Sequence, residues 1–152
     1  MKNISVRLAT INDLKKIQEF QVKMEHHIEK FPMPDALGVA GVEYILSNPN
    51  QGFYIVAELK NVLLGCLGIS FERSVSSNGF FWWIQNVFVD EGSRGNGVFQ
   101  ILFDEVLKKS KKSKDVVSIK LHVHINNPSA IKAYEKAGMK RSPEYPYIYK
   151  VK

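Results

Sequence analysis

The chain has 152 residues, 45% of them hydrophobic and 11% aromatic, which suits one domain over residues 1–152 with a substantial core and excludes global disorder. It has no apolar run long enough for a membrane span and no signal-peptide pattern at its N-terminus, and its single cysteine cannot form an internal disulfide. We therefore expect a cytoplasmic protein without a membrane partner.

The net charge of +6 is confined to the second part of the sequence. Residues 1–60 carry 7 basic and 7 acidic side chains, whereas residues 61–152 carry 14 basic and 8 acidic side chains. We therefore expect an anionic ligand or surface to contact the second part.

The spacing of apolar residues predicts ten elements in the order β α α β β β α β α β. Strands are predicted at 4–10, 52–59, 62–72, 80–90, 116–125 and 144–152, and helices at 11 to about 28, 35–47, 98–112 and 128–137. This mixed order predicts an α/β layer fold. Thr10 is predicted to be the N-cap of the first helix with Asp13 at N3, and Asn127 the N-cap of the last helix. In the strand over 80–90, Ile84 and Val87 are an odd number of residues apart, which indicates a β-bulge between them.

The most informative stretch is "DEGSRGNGVF", which joins a predicted strand to a predicted helix. Amides at a helix N-terminus bind anions, glycines allow several amides to converge, and Arg94 adds a forked cationic donor. The plainer interpretation is an ordinary turn with a solvated arginine. The sequence lacks the P-loop motif, and Gln100 occupies the third glycine position of a dinucleotide fingerprint.

The whole arrangement resembles the GCN5-related N-acetyltransferase (GNAT) family. Two motifs in the family's order carry the resemblance, and "VRLAT" near the start is also typical of these enzymes. The first is R/Q-x-x-G-x-G/A after a strand, on Arg94, Gly95, Asn96, Gly97, Val98 and Phe99. The second is N-x-x-A-x-x-x-Y-x-x-x-G-[FM], on Asn127, Ala130, Tyr134, Gly138 and Met139. The first motif departs from the family at Phe99, where glycine or alanine is preferred.

The resemblance implies a GNAT-like mixed, mostly antiparallel central sheet flanked by about four helices. It also implies an acetyl-CoA-dependent N-acetyltransferase that moves an acetyl group directly to an amine in a ternary complex. Acetyl-CoA would bind with its pyrophosphate on the amides from Arg94 to Phe99 and with help from Asn127. Its pantetheine arm would pair with the strand at Val87, Phe88 and Val89.

By the same resemblance, Tyr134 would donate a proton to the leaving thiolate, because a phenol is protonated at neutral pH. Without the motif, a tyrosine in the core is the better interpretation. Family members often have a glutamate base where Gln85 stands, and an amide cannot take a proton. Gln85 would then hold a water, or the amine would arrive neutral. Cys66 is expected to be a buried structural thiol.

The acceptor would be a small-molecule or peptide amine. We expect it near Glu25, Glu29, Phe31 and Trp83. Trp82 and Trp83 should face opposite sides of their strand. The segment "EHHIE" is an alternative source of the base, because histidine titrates in the useful range, but a solvated helix end is the favoured interpretation. Because the segment lacks a third ligand at a recognisable spacing, we expect no metal.

Two other function classes remain open on the sequence. A non-catalytic acyl-CoA-binding module or sensor of the same fold is compatible with Gln85 in place of an acid. Nucleic-acid binding through "KKSKKSK" is disfavoured, because that run lacks interleaved aromatic residues and ends a helix. Since many relatives dimerise, a homodimer is also compatible with the resemblance.

Overall fold

A computed structural model describes residues 3–28 and 35–151, excluding the side chains of 25–28, 35 and 36. The described chain forms two compact units, residues 3–122 and residues 123–151. One domain over 1–152 stays a prediction.

The first unit is a mixed α/β structure, as predicted. Its strands are β1 (Ser5–Leu8), β2 (Gly52–Leu59), β3 (Val62–Ser74), β4 (Gly79–Val89) and β5 (Val116–Leu121), and its helices are α1 (Leu14–Ile28), α2 (Asp35–Ser47) and α3 (Val98–Lys112). The second unit contains α4 (Pro128–Lys136). The five strands make one sheet in the order β1-β2-β3-β4-β5. The first three pairs are antiparallel and β4–β5 is parallel, so the mostly antiparallel sheet with four helices is confirmed.

Each face of the sheet is covered by helices, because the strands are apolar on both sides. On one face, α1 and α2 pack on a cluster formed by Ile17, Phe20, Val42, Tyr54, Val56, Cys66 and Phe88. The Phe20 and Phe88 rings stack there with centroids 4.6 Å apart. On the other face, α3 contacts β2 and β3 through its buried residues Val98, Leu102, Phe103 and Val106.

A polar network joins β1 to α1. Arg7 donates to both carboxylate oxygens of Asp13 at 2.8 and 2.9 Å, and Arg7 also pairs with Glu58 on β2. The Thr10 amide donates to Asp13 at 2.8 Å, as the predicted N-cap and N3 positions require. The hydrogen bonds from Arg7 hold the pKa of Asp13 below its usual value. The network therefore caps the short 3₁₀ helix (Ile11–Asp13) that leads into α1.

One predicted strand is too long at its C-terminal end, and another is not found among the described residues. β5 ends at Leu121 and not at 125, because Leu121 pairs with Ile84 and the described β4 residues beyond Ile84 pair only with β3. The strand predicted over 144–152 is absent from its described part, residues 144–151. Alternating hydrophobicity specifies which residues share a face, but a strand also needs a neighbour for its hydrogen bonds.

Candidate active site

A β-bulge at Gln85 opens the sheet next to the glycine turn. In the pairing of β4 with β3, Gly68 lies opposite Asn86 and Ile69 lies opposite Ile84, so Gln85 is the extra residue. The bulge indicated by the spacing of Ile84 and Val87 is therefore confirmed. It changes the phase of β4, so that residues three apart share a face.

Beyond the bulge, one edge of β4 has no partner strand among the described residues. β5 pairs only with residues 80–84 of β4. The Asp90 amide donates to Leu64 O at 2.8 Å on the β3 side. Since peptide groups alternate along a strand, those of Val87 and Val89 point to the opposite, open edge. This edge can hydrogen-bond an extended ligand in the way that an added strand would.

The glycine turn follows this edge directly and adopts left-handed backbone angles. Gly95 has a φ of 78° and Gly97, the N-cap of α3, has a φ of 73°. A Cβ at Gly95 would meet nothing within 4 Å, so backbone angle rather than space requires glycine there. The Ile101 amide donates to Gly97 O at 3.1 Å. This is a bond of the first turn of α3, and the amides at a helix N-terminus are the groups that favour an anion.

Arg94 connects the turn to the open edge. Its Nε donates to Val89 O at 3.1 Å, and its guanidinium lies 3.9 Å from Glu91 Oε1. The backbone amide of Arg94 already donates to Glu91 O at 3.2 Å. The guanidinium is therefore the group of Arg94 that is better placed to contact an anionic ligand. The Phe99 ring stacks on that of the buried Phe103, with centroids 5.7 Å apart.

Two amide side chains flank the bulge and make different contacts. Gln85 is exposed, and its Nε2 donates to Ser70 Oγ at 2.7 Å. Asn86 Nδ2 donates to Gln21 Oε1 at 2.6 Å and to Tyr54 Oη at 2.9 Å. Asn86 thereby ties β4 to α1 and β2, and so fixes the backbone of the bulge.

Sequence reasoning missed Tyr54, which supports the bulge from the neighbouring strand. Its side chain is buried, and burial raises the pKa of the hydroxyl above its usual value. A Cβ at Gly68 would lie 2.6 Å from a Tyr54 ring carbon, so only glycine leaves room for the ring. A glycine inside a strand often marks such an approach, and this was the available signal.

An aromatic and polar surface borders Gln85 on the side of the sheet that faces α1 and α2. Trp83 Nε1 donates to Glu72 Oε2, and the His122 ring lies 4.7 Å from the Trp83 ring. Lys120 Nζ lies 3.5 Å from the centroid of Phe81. We call these five residues the aromatic platform. Trp82 is buried against Phe53 and Phe71, so the two tryptophans do face opposite sides.

The second unit contains the predicted residues Asn127 and Tyr134. Asn127 caps α4, because its Oδ1 accepts from the Ala130 amide at 3.1 Å. Burial raises the pKa of Tyr134, so its phenol remains protonated at neutral pH. Gly138, at a φ of 90°, follows the end of α4. The roles of these residues stay predictions.

Three of the four residues predicted to contact the acceptor amine have no described side chain. Glu25 belongs to α1, but its side chain is not described, and Glu29 and Phe31 fall outside the described residues.

Burial raises the pKa of Cys66 to about 12, which makes this thiol a poor nucleophile. Residues 3–28 and 35–151 contain no metal-binding group of three or more His, Cys, Asp or Glu. In the same ranges, no helix is long and apolar enough to cross a membrane.

Known proteins share the sequence pattern and the fold of this chain. The model of the Acetyltransferase (GNAT) family matches residues 14–139. A possible acetyltransferase from Clostridium difficile 630 is 28% identical, with 99% of each chain covered and a TM-score of 0.89. The search of curated proteins found no match.

Two more distant structures share the fold. The aminoglycoside N-acetyltransferase AAC(6')-Iy, solved in complex with CoA, is 17% identical, with 98% of this chain and 95% of that one covered and a TM-score of 0.80. A ribosomal-protein-alanine N-acetyltransferase from Brucella melitensis biovar Abortus 2308 is 14% identical, with 98% and 99% covered and a TM-score of 0.79.

Proposed function

Because the chain belongs to the GNAT acetyltransferase family, we propose that it transfers the acetyl group of acetyl-CoA directly to an amine within a ternary complex. One observation carries the proposal: the open edge of β4 is followed, after a short turn with two left-handed glycines, by the N-terminus of α3. The edge suits an amide-containing arm, and the helix start suits a diphosphate.

The residues present fit acetyl-CoA as a co-substrate. The amides from Gly95 to Phe99 and the Arg94 guanidinium would hold its pyrophosphate. The open-edge peptide groups of Val87 and Val89 would pair with its pantetheine arm, while Phe88 would keep its side chain in the core. To reach a phosphate, the guanidinium would give up or share its bond to Val89 O.

The reaction needs a neutral amine, which attacks the thioester carbonyl carbon. The new C–N bond forms, the C–S bond breaks, and the amine loses a proton while the thiolate gains one. We assign donation to the thiolate to Tyr134, whose raised pKa keeps the proton on the phenol. Gln85 cannot be the base; its Oε1 can accept a hydrogen bond from the amine or from a water, since Nε2 already donates to Ser70.

The structure offers a base that the sequence did not suggest. His122 directly follows Leu121, which pairs with Ile84, so His122 lies level with the bulge. Its ring lies 4.7 Å from the ring of Trp83, two residues before Gln85 in β4. An imidazole can accept the proton of an arriving ammonium, and we assign that role to His122.

The acceptor would lie against the aromatic platform. Relatives of the same fold carry names with quite different acceptors, an aminoglycoside in one case and a ribosomal-protein alanine in another. Fold therefore leaves the acceptor open. We propose a small-molecule or peptide amine with a flat or apolar group for Trp83. Because Lys120 already covers Phe81, a polycation would be repelled unless that side chain moves.

The test has two arms, binding and turnover. Acetyl-CoA at about 100 times its Kd should raise the free energy of unfolding by roughly 2.7 kcal/mol, which is a melting shift of a few degrees. CoA thiol release is then measured over a panel of polyamines, aminoglycosides, amino acids and peptides. Stabilisation without release for any amine would favour the acyl-CoA-binding module instead, and the absence of stabilisation would contradict both.

The role of His122 is tested by His122→Gln. We expect kcat to fall at least tenfold while the Kd for acetyl-CoA changes less than twofold, because the imidazole acts on the amine. Exogenous imidazole should restore part of the rate. Lys120→Met is the matched control, since it changes the same platform without removing a base. An unchanged kcat in His122→Gln would remove the residue from this role.

A further inference from the structure

The bulge of β4 is lined by neutral polar groups on the face that carries the aromatic platform. Gln85 Nε2 donates to Ser70 Oγ at 2.7 Å. Asn86 Nδ2 donates to Gln21 Oε1 of α1 and to Tyr54 Oη of β2. An amide oxygen accepts a hydrogen bond from an amine but does not remove its proton. An acceptor nitrogen placed at the bulge would therefore meet dipoles rather than a negative charge.

The charged groups of the platform lie beside its aromatic rings. Glu72 lies opposite Phe81, earlier in β4 than Gln85, and its carboxylate accepts a hydrogen bond from Trp83. Lys120 Nζ lies 3.5 Å from the centroid of the Phe81 ring. These two opposite charges compensate each other next to the rings, and neither of them bonds to the Gln85 amide in the way that Ser70 does.

Two further titratable groups border the bulge. Tyr54 keeps its proton, because burial raises the pKa of its hydroxyl. His122 lies beside Trp83, with ring centroids 4.7 Å apart, and is the base of the proposed reaction. Imidazole side chains titrate between about pH 5 and 8. Such a base takes a proton readily from a weakly basic ammonium, and only at a large cost from a strongly basic one.

We infer that the acceptor is an amine of low basicity, such as the α-amine of a peptide or an amine next to an electron-withdrawing group, and that Gln85 sets this preference. The inference rests on the proposed acetyl transfer. A carboxylate at the bulge would stabilise an ammonium, whereas the Gln85 amide leaves the desolvation of that charge uncompensated. The ammonium therefore loses its proton to His122 or to water before the nitrogen attacks. The C–N bond then forms as the C–S bond breaks, and CoA leaves as the thiol.

The size of the preference follows from the neutral fraction of each amine. An α-amine has a pKa of about 7.7–8.0, and a lysine side chain has one of about 10.4. At pH 7.5 about a quarter to two-fifths of the first is neutral, but only about 0.1% of the second, a ratio of roughly 200 to 300. A less basic nitrogen is also a weaker nucleophile, which offsets part of this ratio. We therefore expect a preference of at least tenfold in kcat/KM.

The inference is tested with 2-phenylethylamine and its β-fluoro and β,β-difluoro derivatives. All carry a flat ring for Trp83 and have nearly the same shape, and each fluorine lowers the pKa of the ammonium by withdrawing electrons. In assays of CoA thiol release at pH 7.5, kcat/KM should rise with each fluorine, by at least tenfold across the series. At pH 9 the difference should shrink, because a larger share of the fluorine-free amine is then neutral.

Gln85→Glu tests whether the amide sets the preference. The carboxylate would hold the ammonium and accept its proton, so the advantage of the difluoro amine over the fluorine-free amine should fall at least tenfold. Asn61→Asp is the matched control, because it makes the same change from amide to carboxylate in the exposed turn between β2 and β3. It should leave the advantage within twofold of that of the unsubstituted chain.

The outcomes separate this inference from the proposed function. Release of CoA that is fastest with the most basic amine would overturn the inference and leave acetyl transfer in place, since an anionic group would then hold the ammonium. A folded Gln85→Glu variant with an unchanged series would overturn it as well. If that variant did not fold, the series on the unsubstituted chain would decide alone. Stabilisation by acetyl-CoA without release for any amine would overturn acetyl transfer itself, and this inference with it.

Discussion

Replacing Arg94 by methionine separates the pyrophosphate contact from the rest of acetyl-CoA binding. The side chain donates to Val89 O at 3.1 Å and lies 3.9 Å from Glu91, with about half of its surface exposed. An exposed ion pair at that distance contributes about 0–1 kcal/mol, so Arg94→Met should barely change the free energy of unfolding. A hydrogen bond to a charged group contributes about 1.5–3 kcal/mol, so the Kd for CoA should rise about 10- to 150-fold.

Calorimetric titration with CoA and with pantetheine measures this difference. Pantetheine lacks the diphosphate, so Arg94→Met should change its Kd less than twofold. Arg73→Met is the matched control, because Arg73 is a surface arginine that stacks on Phe80 away from the turn. If both ligands lost affinity equally, or if the affinity for CoA did not change, the guanidinium would not bind the diphosphate and the proposed cofactor site would be wrong.

Three further substitutions test the packing at the bulge, the polar network before α1 and the proton donor. Gly68→Ala should cost about 1–3 kcal/mol and several degrees in Tm, because its Cβ would lie 2.6 Å from the Tyr54 ring; an unchanged Tm in calorimetry would contradict this packing. The lowered pKa of Asp13 means that its bonds to Arg7 stabilise the fold above the unfolded value of 3.8 and are lost as pH falls below it. The free energy of unfolding of Asp13→Asn in urea should therefore fall less between pH 5 and 2 than that of the unsubstituted chain; an identical fall would contradict the role of Asp13. Tyr134→Phe should lower kcat tenfold or more and leave the Kd for acetyl-CoA within twofold; an equal loss of both would make Tyr134 a structural residue.

The sequence predicted the elements whose signals are local. Helix caps are short-range hydrogen bonds, so Thr10 with Asp13 and Asn127 with Ala130 appear where the residues indicated. The bulge was also visible, because an inserted residue changes the spacing of apolar side chains within one strand. Local chemistry therefore specified most of the fold.

Features that depend on a second element were not predicted. The support of the bulge by Tyr54, Asn86 and Gln21 joins three elements that are far apart in the chain. The place where β5 ends depends on its pairing with β4, which stops at Ile84, and no property of residues 122–125 reveals it. His122 looked like an ordinary strand residue until the sheet placed it beside Trp83. Such contacts follow from register, which single-strand patterns do not give.

The central claim is that the amides at the start of α3 and at the open edge of β4 bind acetyl-CoA. An NMR titration of the ¹⁵N-labelled chain with acetyl-CoA tests it most directly. We predict saturable shifts of the Gly95, Asn96, Gly97 and Val98 amides together with those of Val87 and Val89, and we predict that pantetheine moves only the latter two. Saturation of the protein with all six amides unmoved would contradict the account.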